Sequence, residues 1–306
     1  AARSIASELA IAMQSARRVL LVGDHLQLPP LYSDAHKAAL ARKLGINSSR
    51  TEIDEVLRSD FARAFNSAYG EQASAALLTQ YRMAPPIGDL VSKTFYAGKL
   101  RNGVRAIPDV YKHAPRALRS MVTWLDTSNL GQRAHHLEDR GTSIYNRCEA
   151  DQIISVLKQV SDKAEFVAEL SNLTSKDEPA IGVICMYAEQ KRLLRQKFNQ
   201  EIWSDGFKDI VKIDTVDSYQ GKENRIIILS LTRSDKQHSP GFLRAPNRIN
   251  VAMSRAMDRL LIVGNADIWK GNNKELPLGS VVRYMTERGQ EAGYKFISAK
   301  QGGKQK

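Results

Sequence analysis

VKIDTVDSYQGKENRIIILSLTRSDKQHSPGFLRAPNRINVAMSRAMDRLLIVG, residues 211–264, decides how this chain folds. Two short apolar, β-branched runs lie in it, 225–231 (RIIILSL) and 259–263 (RLLIV). Each is continuous and bounded by turn or charge signals, the pattern of a strand buried on both faces. A polar, oxygen-rich loop (215–223), closed by Gly221, precedes the first run. An amphipathic segment (248–259) precedes the second, with Ile249, Val251, Ala252 and Ala256 apolar and Arg248 and Arg255 charged. Alternating strands, loops and helices predict an α/β fold, a parallel sheet flanked by helices with its working loops at the strand ends.

Outward from that stretch the same periodicities recur. Runs 18–23 (RVLLVG), 75–79, 121–125 (MVTWL) and 181–185 (IGVIC) read as strands, 18–23 and 181–185 as buried ones. Helical patterns cover 1–14, 37–44, 55–68, 87–95, 189–200 and 280–287, and one more runs from Asn146 to about 160. In the helix over 55–68, Val56, Leu57, Phe61 and Phe65 are core positions. Asn146 and Glu149 have the spacing of a capping box, which accounts for both without catalysis. Residues 100–118 read as a basic loop and 164–179 as a surface excursion. Residues 291–306 form a basic tail predicted to be disordered, most clearly from Lys300.

Some loops carry candidate chemistry. Run 18–23 stops at Gly23 and opens into DHLQLPP, which places Asp24 and Gln27 at the carboxyl edge of a sheet, where α/β proteins bind ligands. A plain strand-to-turn transition explains that loop equally well. Tyr81 and Arg82 lie between a strand and a helix that starts after Pro85 and Pro86. There the arginine can grip a phosphate bidentately while the ring covers a base; the competing reading is a surface arginine packed on its neighbour. Lys191, Arg192, Arg195 and Lys197 make the 189–200 helix either a solvated face or a track for a nucleic-acid backbone.

A length of 306 residues suits one large or two medium domains. A net charge of +12 favours an anionic partner, nucleic acid before a membrane surface, though a merely basic enzyme fits the charge as well. Cys148 and Cys185 both fall in predicted regular structure, which favours reduced thiols and an intracellular, non-secreted protein. No apolar run approaches a membrane span. The helical pattern at the very start, with no initiating Met, reads as a chain cut from something longer. The sequence has no Gly-x-x-x-x-Gly-Lys-Ser/Thr, no strand ending in Asp-Glu, no zinc spacing and no Ser/His/Asp or Cys/His nucleophile set. His135 and His136 are adjacent and read as loop, so no metal ligands are assigned.

Five segments stand in order: GDHLQLPP (23–30), QYRM (80–83), GTSIYNRCEA (141–150), TVDSYQGKE (215–223) and NRINVAMSRA (247–256). Together they resemble motifs III to VI of superfamily 1B helicases of the up-frameshift type. That resemblance implies a RecA-like fold, with residues 1–78 the tail of a first RecA-like domain and 79–290 a second. It implies ATP with Mg²⁺ held partly by a missing N-terminal half, and movement along single-stranded RNA or DNA as a monomeric motor. Role by role it implies Gln27, Arg82 and Arg255 as catalytic groups at the γ-phosphate. Tyr81, Gly221 and Glu223 would bind the nucleotide, with Glu223 on the ribose. Pro29, Tyr187, Gln190, Thr215 and Ser218 would contact nucleic acid. Ala84, Asn247, Met257, Met186 and Ala188 depart from the family pattern, and none of them removes a γ-phosphate contact. Two other function classes remain: a non-catalytic nucleic-acid-binding module, and an ATP-switch scaffold. A phosphate-cradling motif encoded upstream of Ala1 separates the motor from both.

Overall fold

The computed structural model describes residues 4, 6–30, 32, 34–46, 59–138, 143–174, 178–219 and 221–300. Two compact units, Ala1–Leu77 and Leu78–Lys306, divide the chain.

The first unit holds helices α1 (Ala6–Gln14), α2 (Asp34–Leu44), α3 (Asp60–Phe65) and α4 (Ala68–Ala73). Ser67 starts α4, its hydroxyl accepting from the Gly70 N–H at 3.0 Å. The helix expected over 55–68 is thus broken at Asn66 and Ser67, where two side chains that bond backbone compete with helix continuation. Phe61 is buried, whereas Val56 and Leu57 lie outside the described residues. The buried strand expected at 18–23 does not form, and Leu20 is 87% exposed. A strand must pair its N–H and C=O groups with a neighbour, and the described residues of this unit contain no other strand. The run expected at 75–79 shrinks for the same reason to β1 (Thr79–Gln80), which pairs in parallel with β2 (Arg101–Asn102).

The second unit is built on a six-stranded sheet. Its strands are β3 (Val122–Asp126), β6 (Ile181–Cys185), β7 (Val211–Thr215), β8 (Asn224–Ser230), β9 (Ala256–Gly264) and β10 (Tyr294–Ser298). They lie in the order β10-β3-β9-β8-β6-β7, every pair parallel. The short β4 (Leu137–Glu138) and β5 (Ile144–Tyr145) pair separately and antiparallel. The two runs that open the sequence argument are β8 and β9, adjacent at the sheet centre and almost wholly buried. Alternate residues serve opposite faces. Leu261 and Val263 join one apolar cluster with Ile153 and Leu157 of α7 (Arg147–Ser161), Phe166 of α8 (Ala164–Asn172) and Leu194 of α9 (Ala188–Gln200). Leu260 and Ile262, between them in sequence, are buried outside that cluster. Helices α5 (Pro85–Phe95), α10 (Pro246–Met253) and α11 (Pro277–Arg288) pack against one another and against the sheet. Among the described residues no helix is long and apolar enough to cross a membrane.

Three expectations for this unit change. Residues 164–179, expected as a surface excursion, contain α8, whose Phe166, Val167 and Leu170 are buried. Its apolar positions occur only three and four residues apart over two turns, too short a pattern to stand out from polar flanks. Residues 100–118 contain β2, a 3₁₀ turn (Asp109–His113) and helix α6 (Arg116–Arg119) with Val110, Tyr111 and Leu118 buried. The tail expected to be disordered from 291 instead supplies edge strand β10, which pairs with β3 from Tyr294↔Val122 to Ser298↔Asp126. Alternation in YKFIS is weak, and only the exposed edge of β3 calls it into the sheet. Residues 301–306 lie outside the described residues.

A chain ending at Gly293 is therefore expected to melt roughly 5–10 °C below the full chain, as follows from losing about 2–3 kcal/mol in a domain of this size. Thermal unfolding followed by circular dichroism measures this; an unchanged midpoint would return these residues to a dispensable tail.

Candidate functional site

The loops at the two ends of the sheet hold different chemistry. At the amino ends of β8 and β9 stand Glu223 and Arg255, each one residue before its strand. Gly221 lies in the loop before β8 with φ of +82°, a left-handed backbone that glycine adopts without strain. Arg82, 141 positions from Glu223 in the chain, forms an ion pair with it through Nε. The Arg82 Nη1 also donates to the Ser254 carbonyl at 3.3 Å. Both members of the ion pair are 35% exposed. A pair so open to water contributes on the order of 0–1 kcal/mol and can part easily.

Arg255 is held differently. It is 2% exposed, with Nε donating to Val251 O at 3.1 Å and Nη1 to Lys222 O at 3.3 Å. Nη2 reaches Ser254 Oγ at 3.3 Å. Its guanidinium thus braces the 221–223 loop from below and is not presented at the surface. Tyr81 is its opposite: 66% exposed, with its ring laid against Gly103, where any Cβ would collide with it. An aromatic face supported from beneath and open above can take a planar ring. Arg82, Glu223 and Arg255 thus come together from three segments; Tyr81 adjoins them as the neighbour of Arg82.

Expected contacts at the carboxyl ends divide. Thr215 ends β7, half-buried, with its Oγ1 3.4 Å from the Ser218 hydroxyl in an exposed turn. Tyr187 follows β6 but is buried, its ring 4.2 Å from that of Phe242, and burial pushes its hydroxyl pKa up. Gln190, expected to touch nucleic acid, is corrected: it is 0% exposed. Its Oε1 accepts from Asn146 N at 2.7 Å, and its Nε2 donates to Asn146 O at 3.2 Å and Ser230 Oγ at 3.0 Å. An amide spent on both sides of a buried backbone position is a structural tie.

The capping box is also revised. Asn146 does cap α7, its Oδ1 accepting from Glu149 N at 3.0 Å. Glu149 does not reach back; its Oε2 accepts from Ser230 Oγ and Thr232 N, both at 2.7 Å. Gln190 takes the Asn146 N–H that Glu149 was expected to satisfy. Full burial, partly offset by those hydrogen bonds, raises the Glu149 pKa from 4.5 to about 8. Cys148 and Cys185 are free thiols, as expected, both raised by burial, Cys148 to about 11.

In the first unit, Gln27 donates from Nε2 to Asp24 Oδ2 at 2.8 Å, and Asp24 Oδ1 accepts from Leu26 N at 3.0 Å. Pro29 is exposed. Gln27 and Asp24 thus share one turn, though no strand leads into it. Among the described residues no three His, Cys, Asp or Glu side chains gather as a metal site.

Two residues that matter to this site carry no motif. Asp258 is fully buried inside β9, and Arg105 reaches it from the stretch read as loop. An acid inside a buried strand announces that a cation must come to it. The sequence does not say which.

With this geometry in hand, relatives can be weighed. Residues 56–267 match the family described as AAA domain (AAA_12). The ATP-dependent helicase NAM7 of Saccharomyces cerevisiae is 32% identical over 263 residues, 83% of this chain and 23% of that protein. A regulator of nonsense transcripts 1 homolog of Neurospora crassa is 31% identical over 82% of this chain and 20% of its own length. Helicase sen1 of Schizosaccharomyces pombe is 29% identical over 83% of this chain and 13% of its own. The chain belongs to this AAA-domain family, as the up-frameshift type of superfamily 1B helicase sequence that carries motifs III to VI. It spans about a quarter or less of the curated relatives it matches.

Two outcomes follow. Gln190→Ala is expected to lower the unfolding free energy by about 1–3 kcal/mol, because it strands buried polar groups; denaturant titration reads this, and a loss of nucleic-acid affinity at unchanged stability would restore it as a contact. Glu149 takes up a proton on folding between pH 4.5 and about 8. Its contribution to stability is therefore complete at the acid end and falls as pH rises through about 8. Glu149→Gln should flatten that decline, measured by urea midpoints across the same pH range.

Proposed function

We propose that this chain is the responding half of an ATP-driven motor that moves along a single strand of nucleic acid. The observation that carries the reading is the Arg82–Glu223 ion pair beside Arg255. Two arginines and one carboxylate at one sheet edge suit a nucleotide triphosphate: cations for the phosphates, an acceptor for ribose hydroxyls, and Tyr81 for the base. Bound ATP with Mg²⁺ supplies the phosphoryl group that passes to water.

In this reading Glu223 releases Arg82 and turns to the ribose, and Arg82 turns to the terminal phosphate. The weak, half-exposed ion pair keeps that exchange cheap. Arg255 adds a second cation once its bond to Lys222 O opens, so its arrival is tied to movement of the 221–223 loop. Charge on a transferring phosphoryl group is what such arginines stabilise, by about 10³–10⁵ in rate. Gln27 would orient water or sense the γ-phosphate from the first unit. The phosphate cradle and the Mg²⁺ ligands would be supplied by a partner RecA-like domain that closes on this one. That closure would couple hydrolysis to stepping.

Nucleic acid would run along the carboxyl ends of the strands, over Thr215 and Ser218, with Tyr187 as a packed support; Pro29 is a proposed contact within the first unit. The loop from Thr215 to Glu223 leaves the carboxyl end of β7 and enters β8 at its amino end, so it joins the two chemistries through one short segment. Backbone contacts of this kind bind with little sequence preference and weaken with salt.

Arg82→Ala, made in the helicase that contains this chain, should cut ATP turnover by about 10³-fold. Single-strand binding, read by fluorescence anisotropy, should change little. Arg255→Ala should do the same, with its melting temperature measured alongside because Arg255 also braces a loop. Unchanged turnover in both variants would favour a binding module over a motor.

A further inference from the structure

Arg105 touches no residue of the candidate nucleotide site through that residue's side chain, yet it holds the backbone on which Arg82 stands. Its Nη1 donates to the Arg82 carbonyl and to the Met257 carbonyl, both at 2.6 Å. Its Nη2 donates to Asp258 Oδ1 at 2.5 Å. The Met257 carbonyl also accepts from Ala84 N at 2.7 Å, two residues beyond Arg82. The turn that carries Arg82 is therefore fastened to β9 at two backbone points, and Arg105 makes one and shares the other.

Asp258 makes this fastening rigid. Its carboxylate is fully buried and accepts from Arg105, from the Tyr111 hydroxyl at 2.8 Å and from Arg225 Nη1 at 3.4 Å. Tyr111 is itself covered by the Arg259 guanidinium at 3.8 Å from the ring centroid. Arg259 in turn is bound to Leu118 O at 2.9 Å. A buried carboxylate with three donors has one good geometry, and the Arg105 fork inherits it. Asp258 lies three residues after Arg255, inside the strand that Arg255 immediately precedes. The fork thus sets the base of Arg82 against the very strand that Arg255 leads into.

We propose that Arg105, oriented by Asp258, is a positioning residue for Arg82. It fixes the Arg82 backbone relative to β9, so that the Arg82 side chain swings between Glu223 and a phosphate from a constant origin. The inference rests on the reading of Arg82 as a phosphate-sensing arginine for its effect on turnover, and on geometry alone for the clamp itself. An error of about 1 Å at a catalytic group can cost 10²-fold in rate.

The test uses Arg105→Gln, with Arg105→Lys as the conservative partner, in two measurements. In the helicase that contains this chain, Arg105→Gln should lower kcat for ATP by about 10–100-fold while KM stays within about threefold, and Arg105→Lys should recover part of kcat. In the 306-residue chain, amide exchange at Ala84 should quicken in Arg105→Gln while the interior amides of β8 and β9 keep their protection. Unaltered exchange at Ala84 would refute the clamp. A drop in kcat accompanied by faster exchange throughout the sheet, with no recovery by lysine, would reduce Arg105 to a general stabiliser and overturn the proposal. Arg82→Ala is assayed in parallel: if that variant turns over normally, the reading of Arg82 fails, and the exchange experiment still decides the clamp.

Discussion

Parallel pairing of β8 with β9 is the constraint on which the second unit depends. Both strands are buried on both faces, and they pair in register from Ile226↔Arg259 to Ser230↔Val263. Parallel strands enter from the same side, so the loop before β8 and the helix before β9 must arrive at one edge. That alone brings Glu223 beside Arg255. The hydrogen bond from Asn224 N to Arg255 O, at 3.1 Å, is the point where the two arrivals are tied.

Polar groups buried against this sheet are organised in two knots. At the amino end, Asp258 collects Arg105, Tyr111 and Arg225 and fastens the Arg82 turn. At the carboxyl end, Glu149, Gln190, Asn146 and Ser230 bind α7, α9 and β8 together. Each knot lies below loops for which different tasks are proposed, nucleotide binding for one and nucleic-acid binding for the other. A loop that must change partners works best on a base that does not move, and buried polar groups tied by several hydrogen bonds provide such a base.

Periodicity exposed most of the second unit. Continuous β-branched runs revealed β6, β8 and β9, and Pro85 and Pro86 marked the start of α5. Periodicity misled where burial depends on a distant partner. Residues 18–23 have the composition of a buried strand but no strand to pair with among the described residues of their unit, and they form no strand, with all but Leu21 exposed. Residues 294–298 have an unremarkable composition, yet β3 offers them an edge. The motifs single out Arg82, Glu223 and Arg255, and the fold brings these three together at one sheet edge. Gln190 is expected as a contact from its place after a strand, which does not distinguish a side chain that faces solvent from one that faces the core.

By itself, then, the sequence determined the fold class, the central strands and the residue types gathered at the amino edge, since these follow from local apolar patterning and short motifs. Only the tertiary structure decided that Arg82 is paired with Glu223, that Arg255 lies beneath the surface, and that Arg105 answers Asp258. Each of these joins residues far apart in the chain, and the partner of a buried charge is chosen by proximity in space, for which linear order carries no signal.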